Sequence, residues 1–460
     1  MKTGGACAAA IALCALVWSA VHREALSSAD QAAVQAAAWL VFAVGAWLVR
    51  ALPVRRAVPL ILLGGVCLQL AALSAPPRTS TDAYRYVWDG RVQSAGIDPY
   101  RYVPAAPQLA HLRDPGFLWE RTSRSWCVTP GRDLVPGCTL INRPTVHTIY
   151  PPVAEGYFAA VHVMSPPEAR TTPIQGAAAA VAVATGLVLV SGLSRLGRDP
   201  RLAVWWAWCP LVALEAGNNA HVDVVAAVLT ILALLVLARA RSRFRALAGG
   251  AVLGLAIAAK LFPVVVAPAV SRRRPAAVAC AAAGAIAVVY LPHVLAVGGD
   301  VLGYLPGYLK EEGYDSGSRF ALIGLVVPRA WAEAGAVAVL AVTAVLVWRT
   351  ADPDRPWRGA LMMAGVLLLV TSPALPWYGL LVIALVALDG RAEWLAVGAA
   401  GYVMWALIGL GLPGSAATRI GYGCGAMVVI VVSLLRTRAV REAAMAVTPS
   451  TSRSMSDSSA

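Results

Sequence analysis

Residues 246–270 read ALAGGAVLGLAIAAKLFPVVVAPAV, an apolar run of 25 residues in which Lys260 is the one charged side chain. A run of this length can cross about 30 Å of hydrocarbon as a helix. Similar apolar runs recur from residue 5 to residue 435. In lipid such runs must be helical, because no water is present to satisfy free backbone groups. The sequence therefore predicts an all-α polytopic membrane protein with about 11 to 13 transmembrane helices.

The composition agrees with this class. Apolar residues make up 59% of the 460 residues and charged residues 13%, against about 45–50% and about 25% in soluble domains. The net charge of +14 does not indicate nucleic-acid binding, because the arginines lie in short connections between apolar runs, where they set topology. Residues 5–21 are interpreted as a retained first span, since more apolar runs follow directly.

Basic connections predict the orientation of the chain. The arginines of residues 50–56 lie between the second and third apolar runs, so we place them in the cytoplasm. The long loop that follows the third run is then extracytoplasmic, although it carries nine arginines, because the rule weakens for loops beyond about 60 residues. The predicted regions are N-terminal transmembrane helices at 1–75, an extracytoplasmic catalytic loop at 76–147, a transmembrane bundle at 148–436 with external loops near 215–223, 298–320 and 371–379, and a disordered cytoplasmic tail at 437–460.

Two apolar segments do not fit simple spans. IYPPVAEGYFAAVHVMS, residues 149–165, and the run at 246–270 each join ends that the basic clusters place on one side of the membrane. Both contain prolines that suit interrupted helices, and irregular backbone at membrane depth is tolerated where it lines a cavity or is buried in protein. We predict that both segments are broken or re-entrant. The alternative for 149–165 is a full span with one basic cluster facing outward.

Two cysteines in the long loop differ from the six in apolar runs. Cys127 and Cys138 flank the turn-rich segment VTPGRDLVPG. If the loop faces an oxidising compartment, these two can form a disulfide. Two free thiols are the alternative, and a metal pair is disfavoured because His111 and His147 lack zinc-ligand spacing.

The polar stretch STDAYRYVWDGRVQSAGIDPYRYVP, residues 80–104, holds three aspartates, three arginines and four tyrosines. Asp82 and Asp89 are seven residues apart, so a helix would place both carboxylates on one side, together with Tyr86. A carboxylate just outside the bilayer can act as a general base, and neighbouring arginines such as Arg85 and Arg91 can bind a phosphate. The alternative is a structured loop whose charges pair with each other.

This stretch is followed in order by NRPTVHTIYPPVAE, NNAHVD, AAKLFPVVVAP and SPALPWYG. Together these motifs resemble bacterial polyprenyl-phosphate-mannose-dependent mannosyltransferases of the GT-C superfamily, over most of the chain. The sequence departs from many relatives by placing three apolar runs before the acidic loop instead of one. The resemblance implies a GT-C-like helical bundle and an inverting transferase at the outer face of the cell membrane. The resemblance implies that such an enzyme moves a sugar, here mannose, from a polyprenyl phosphate carrier to a cell-envelope glycan or glycolipid.

The resemblance implies that Asp82 is the catalytic aspartate, with Asp89 as the second candidate. Ten further residues are candidates for binding substrate: Arg85, Tyr86, Arg91, Glu155, His221, Asp223, Lys260, Arg319, Trp377 and Tyr378. Each has a plainer interpretation as a helix cap, a solvated charge or an interface anchor, and the ammonium of Lys260 could snorkel to the cytoplasmic surface. No metal ligands are expected, although assistance by Mg²⁺ stays open.

A transporter or flippase of a lipid-linked sugar is the alternative function. A lysine inside an apolar run and broken helices also occur in transporters, although no internal repeat is visible here. A polytopic scaffold without activity is a third possibility, and it predicts that replacing either aspartate leaves product formation unchanged.

Overall fold

A computed structural model describes residues 2–22, 27–114, 117–119 and 139–447, without the side chains of 440–447. In this part of the chain the regular elements are helices, and the β-contact is an isolated bridge between Trp119 and Thr139. The α-helices are α1 Lys2–His22, α2 Ser28–Arg50, α3 Val54–Leu73, α4 Asp82–Ser94, α5 Pro152–Val163, α6 Thr172–Arg195, α7 Val204–Ala207, α8 Pro210–Val212, α9 Asp223–Leu237, α10 Arg243–Ala259, α11 Ala267–Val270, α12 Pro275–Val297, α13 Leu305–Glu311, α14 Arg329–Thr350, α15 Pro356–Thr371, α16 Gly379–Asp389, α17 Leu395–Gly409 and α18 Gly414–Val447. The predicted all-α class is confirmed. The pair Cys127 and Cys138 lies outside the described residues.

Many of these helices are long and apolar enough to cross a membrane. Within the described residues there are 8 such spans, or 9 if Pro210–Asn218 and Asp223–Leu237, which meet at an angle of 119°, form one broken span. Pro356–Thr371 and Pro376–Asp389 are shorter apolar helices. The predicted polytopic membrane protein is therefore confirmed. Several apolar runs are divided into short helices, which is why the full-length spans are fewer than the apolar runs.

Burial separates central helices from peripheral ones. α16 is buried at every residue and forms the centre of the bundle. α12 instead exposes Val288, Leu291 and Leu295, which are 71%, 55% and 78% accessible. Apolar side chains exposed along a whole helix are suited to contact with lipid rather than water.

Neither of the two unusual apolar segments forms one helix of full spanning length. α5 has 12 residues, which span about 18 Å and are too few to cross the hydrocarbon. α10 ends at Ala259, because Lys260 is extended (φ −157°, ψ 138°) and leads into a 3₁₀-helix, Phe262–Val266. At the other end of this segment, Arg274 Nη2 donates to the carbonyl of Arg241 at 3.4 Å. The run at 246–270 therefore leaves one side and returns to it, with Lys260 at the turn.

Close packing against α12 fixes the position of α10. A Cβ atom at Gly250 would collide with the carbonyl oxygen of Val278, and one at Gly254 with the carbonyl oxygen of Ala282. Glycine at both positions thus allows two helix backbones to approach directly. Because the contacts advance in the same order along both helices, α10 and α12 run parallel.

The described part of the long loop has a small hydrophobic core of its own. Its buried members are Tyr84, Trp88, Val92, Leu109, Leu118, Trp119, Leu140 and Ile141. Three of these belong to α4, so this core attaches the helix that carries Asp82 to the rest of the loop. At the far end of the chain, α18 continues to Val447, eleven residues beyond the boundary predicted for the tail, and residues 448–460 are outside the described part.

Candidate active site

The ends of several elements surround a cavity of about 810 Å³. The lining comes from the segment before α4, the segment before α5, the turn at Lys260, the region of α13 and the segment before α16. Its polar and aromatic members are Arg78, Thr79, Ser80, Thr81, Asp82, Arg85, Asn142, Arg143, His147, Tyr150, Lys260, Phe262, Tyr304, Tyr308, Tyr314, Trp377 and Tyr378. Three of the four polar regions predicted to be external therefore line one space, and the fourth, 215–223, lies directly behind it.

Asp82 is the first residue of α4, and its backbone N–H donates to Ser80 Oγ at 3.2 Å. Asn142 Nδ2 donates to its Oδ1 at 2.5 Å, and His221 Nδ1 lies 3.5 Å from its Oδ2. Burial alone would raise the pKa of this carboxyl, but His221, Lys260 and Asn142 together hold the pKa below its usual value. Asp82 is thus ionised at neutral pH and is the one carboxylate among the described lining residues.

Four cationic side chains line the same cavity: Arg78, Arg85, Arg143 and Lys260. Lys260 Nζ donates to Asp223 Oδ2 at 3.0 Å and lies 5.6 Å from the ring centre of Tyr150 and 5.8 Å from that of Tyr378. The ammonium therefore faces the cavity. An ammonium at membrane depth is stabilised by such a partner.

Arg143 connects the loop to the region of α13. Its Nε donates to Glu311 Oε2 at 3.1 Å and its Nη2 donates to Glu311 Oε1 at 2.5 Å. Tyr304 next to it donates through its hydroxyl to Glu311 Oε2 at 3.2 Å. These contacts close one wall of the cavity.

The structure separates the two candidate catalytic aspartates. Asp89 does not line the cavity, and Arg85 Nε donates to both of its carboxylate oxygens at 2.9 Å. The two side chains are 4% and 3% exposed. Arg85 Nη1 continues to the carbonyls of Arg143 and Val146, at 3.4 and 3.3 Å. Asp89 thus orients an arginine of the cavity from behind.

Four other predicted residues lie away from the cavity surface. Glu155 is fully buried and accepts hydrogen bonds from Thr148 Oγ1 at 2.6 Å and Gln93 Nε2 at 2.9 Å. Tyr86 stacks on Phe158 with ring centres 4.3 Å apart. The remaining two are arginines in ion pairs, Arg91 with Asp114 and Arg319 with Glu312.

The predicted residues of the 215–223 and 371–379 regions fall into two groups. Trp377 and Tyr378 line the cavity, and Tyr378 shares a hydrogen bond with Tyr308 through their hydroxyl oxygens, 2.8 Å apart. His221 stacks behind Trp377 with ring centres 3.9 Å apart. Asp223 contacts the cavity through Lys260. Trp377 is therefore covered on one ring face.

Sequence reasoning missed several participants. Asn142 and Arg143 stand in the motif that follows the acidic stretch, and Arg78 lies just before it, but none of the three was selected. Glu215 opens the motif EAGNNAHVD and is fully buried next to His221. The sequence signal for Glu215 was a carboxylate beside an apolar helix, because a carboxylate is seldom buried without a partner.

The donor set does not suit a divalent cation. In the described residues no group of three or more histidine, cysteine, aspartate or glutamate side chains could hold a metal ion. Mg²⁺ is bound through carboxylates together with water or phosphate, whereas the described lining residues include one carboxylate and four cationic side chains.

The family model of glycosyltransferase family 87 matches residues 148–373. No curated protein matches the chain. Among solved structures, the crystal structure of the Archaeoglobus fulgidus oligosaccharyltransferase in complex with Zn and sulfate is similar, with 14% sequence identity and a TM-score of 0.34. The similarity covers 84% of this chain and 51% of that one, so this chain spans about half the length of the oligosaccharyltransferase.

The family match includes His221 and Lys260, but it begins after Asp82 and ends before Trp377. It covers just under half of the chain. The all-helical fold and the cavity at the helix ends are independent of this match. Together with the predominance of membrane-spanning helices, the similarity to glycosyltransferase family 87 over residues 148–373 supports a membrane glycosyltransferase.

Proposed function

We propose that this protein is an inverting glycosyltransferase that moves a sugar from a polyprenyl phosphate carrier to a cell-envelope glycan or glycolipid. The observation that carries the proposal is one ionised carboxylate, Asp82, facing a cavity that also contains four cationic side chains. Mannose is the proposed sugar, on the sequence resemblance alone. The outer membrane face is proposed from the distribution of basic connections.

In the proposed reaction, an acceptor hydroxyl gives its proton to Asp82 while its oxygen attacks the anomeric carbon of the donor sugar. The bond from that carbon to the carrier phosphate breaks, and the phosphate oxygen takes the electron pair. Attack opposite to the departing phosphate inverts the configuration. One base suffices, because a phosphate departs without a strong acid, in contrast to the two carboxylates of inverting glycosidases.

The leaving phosphate acquires negative charge, so fixed positive charges near it stabilise the transition state. Lys260 and Arg85 are the proposed contacts, because both line the cavity and both are held from behind by buried carboxylates. An oriented cation costs little reorganisation when the charge develops. Arg143, which lines the same cavity, is proposed to complete the phosphate contacts.

The test is transfer by purified protein in detergent, with labelled polyprenyl phosphate mannose and candidate glycan acceptors and without nucleotide. Asp82→Asn keeps the size of the side chain but removes the base, and it should lower transfer by about 10²- to 10⁴-fold, mainly in kcat. Asp300→Asn, at an exposed aspartate outside the cavity, is the matched control and should transfer normally. Melting behaviour checks that both variants are folded.

Transport is separated from transfer in the same preparation. Reconstituted vesicles measure movement of the lipid-linked sugar between leaflets, and a transporter would move it equally well with Asp82→Asn. Transfer at the wild-type rate by folded Asp82→Asn would contradict the proposed base. No transfer from polyprenyl phosphate mannose, together with leaflet movement, would replace the proposed function by a flippase.

A further inference from the structure

His221 lies between two carboxylates on the side of Asp82 that faces away from the cavity. Its Nδ1 is 3.5 Å from Asp82 Oδ2, and its Nε2 is 3.3 Å from Glu215 Oε2. The side chains of His221 and Glu215 are both 0% exposed. Neither lines the cavity, so neither touches a substrate bound there. A role in the reaction must therefore act through Asp82.

The fold holds this arrangement from several directions. Glu215 lies in a π-helix, Ala213–Asn218, that directly precedes the break before α9. Asn219 Nδ2 donates to Glu215 Oε2 at 3.1 Å, and the hydroxyl of Tyr402 donates to Glu215 Oε1. The imidazole of His221 is covered by the ring of Trp377. The π-helix and the helix break are local departures from regular geometry of the kind found at functional sites.

Two carboxylates beside one buried imidazole favour the imidazolium, because each ring N–H then faces an anion. The imidazolium in turn favours the ionised form of Asp82. We propose that Glu215 is a positioning residue of the transfer reaction: it keeps His221 charged, and His221 keeps the Asp82 carboxylate ionised and oriented toward the acceptor hydroxyl. This inference rests on the proposed role of Asp82 as the base.

Other charged and titratable groups also face this cluster, and they also influence the ionisation of Asp82. They are Tyr86 on α4, Lys260 at the end of α10, Asp223 on α9, Arg143 and Tyr150 in the segment before α5, and Tyr402 on α17. The charge of Lys260 is largely balanced by Asp223 at 3.0 Å. Removing the carboxylate of Glu215 therefore changes mainly the charge on the ring that adjoins Asp82.

The decisive variant is Glu215→Gln, studied in the full-length protein. Transfer by the wild-type protein should fall at low pH as Asp82 becomes protonated. In Glu215→Gln this acid limb should move to higher pH by about 1 to 3 units, because the carboxylate of Asp82 loses the neighbouring positive charge. Glu393→Gln is the matched control, since Glu393 is also buried but pairs with Arg436 at 2.9 Å, away from the cavity. Its acid limb should coincide with that of the wild type.

A second readout does not need sugar transfer. Infrared difference spectra across a pH titration report protonation of carboxyl groups, and subtraction of spectra from Asp82→Asn isolates Asp82. The same upward shift is expected in Glu215→Gln, and in His221→Asn if Glu215→Gln does not fold. Absence of transfer in the wild type would refute the proposed function and still leave this titration as the test. An unchanged Asp82 titration in the folded variants would overturn the role of Glu215.

Discussion

Replacing Asp89 by asparagine should destabilise the protein far more than it changes the chemistry. Arg85 Nε donates to both oxygens of Asp89 at 2.9 Å, and the two side chains are 4% and 3% exposed. Removing one partner of a buried ion pair costs about 3–5 kcal/mol, because the other charge is left uncompensated. We expect a value of about 3 kcal/mol for Asp89→Asn, since the asparagine amide oxygen can still accept a hydrogen bond from Arg85.

The assay is thermal unfolding of purified protein in detergent, with transfer measured on the same samples. For a chain of 460 residues, about 3 kcal/mol corresponds to a fall in Tm of about 3–6 °C. Asp354→Asn is the control, because Asp354 also accepts two hydrogen bonds from an arginine, Arg273, at 2.8 and 3.1 Å but lies in an exposed pair. Its Tm should stay at the wild-type value, since exposed pairs contribute little.

Transfer by folded Asp89→Asn should fall less than transfer by Asp82→Asn, because Asp89 acts only by orienting Arg85. An Asp89→Asn variant that melts like the wild type would contradict the structural role of the pair. If that folded variant has also lost transfer while Asp82→Asn transfers nearly normally, the base is Asp89.

Three further predictions concern charge, metal and topology. Lys260→Met should lower transfer by about 10²- to 10³-fold through loss of phosphate stabilisation. Lys310→Met, at an exposed lysine outside the cavity, is the control and should transfer normally. Equal transfer rates in the two variants would exclude Lys260 from the site. EDTA should leave transfer unchanged, because the lining is cationic, and a loss that added Mg²⁺ restores would disprove this. A cysteine introduced at Gln108, in a protein with Cys127 and Cys138 replaced, should react with an impermeant thiol reagent added outside intact cells. A C-terminal tag should stay protected in the same cells. The reverse labelling pattern would invert the proposed topology.

The membrane fold was predictable because apolar runs of spanning length admit few alternatives. Lys260 was also identifiable, since a charged residue inside an apolar run needs a partner. The environment of Lys260 was not predictable, because the positive-inside rule placed both ends of its segment on one side of the membrane. That rule does not indicate how far the turn between the two ends lies from that side. In the structure the 17-residue helix α10 ends directly before Lys260, so the lysine lies a full helix length from the basic start of its segment.

The partners of Asp82 were harder to predict, because they come from distant parts of the chain. Asn142 is 60 residues away in sequence, and Tyr402 is 187 residues from Glu215. No local spacing encodes such contacts. The relation between Asp82 and Asp89 shows a second limit: helical periodicity placed them on one side of α4, but two turns separate them by about 10 Å along the axis. That distance is enough to put one at the cavity and the other beneath it.

The position of the Lys260 ammonium depends on the contact between the parallel helices α10 and α12, which lies outside the cavity. Gly254 precedes Lys260 by six residues, and a methyl group there would meet the Ala282 carbonyl. The two helices would have to separate, and the turn that carries the ammonium would shift with them. Gly254→Ala would therefore change the position of the Lys260 ammonium and would not act as a local packing defect alone. A redesign that moves this ammonium to accommodate a larger donor would therefore change residues at the contact between α10 and α12, outside the cavity wall.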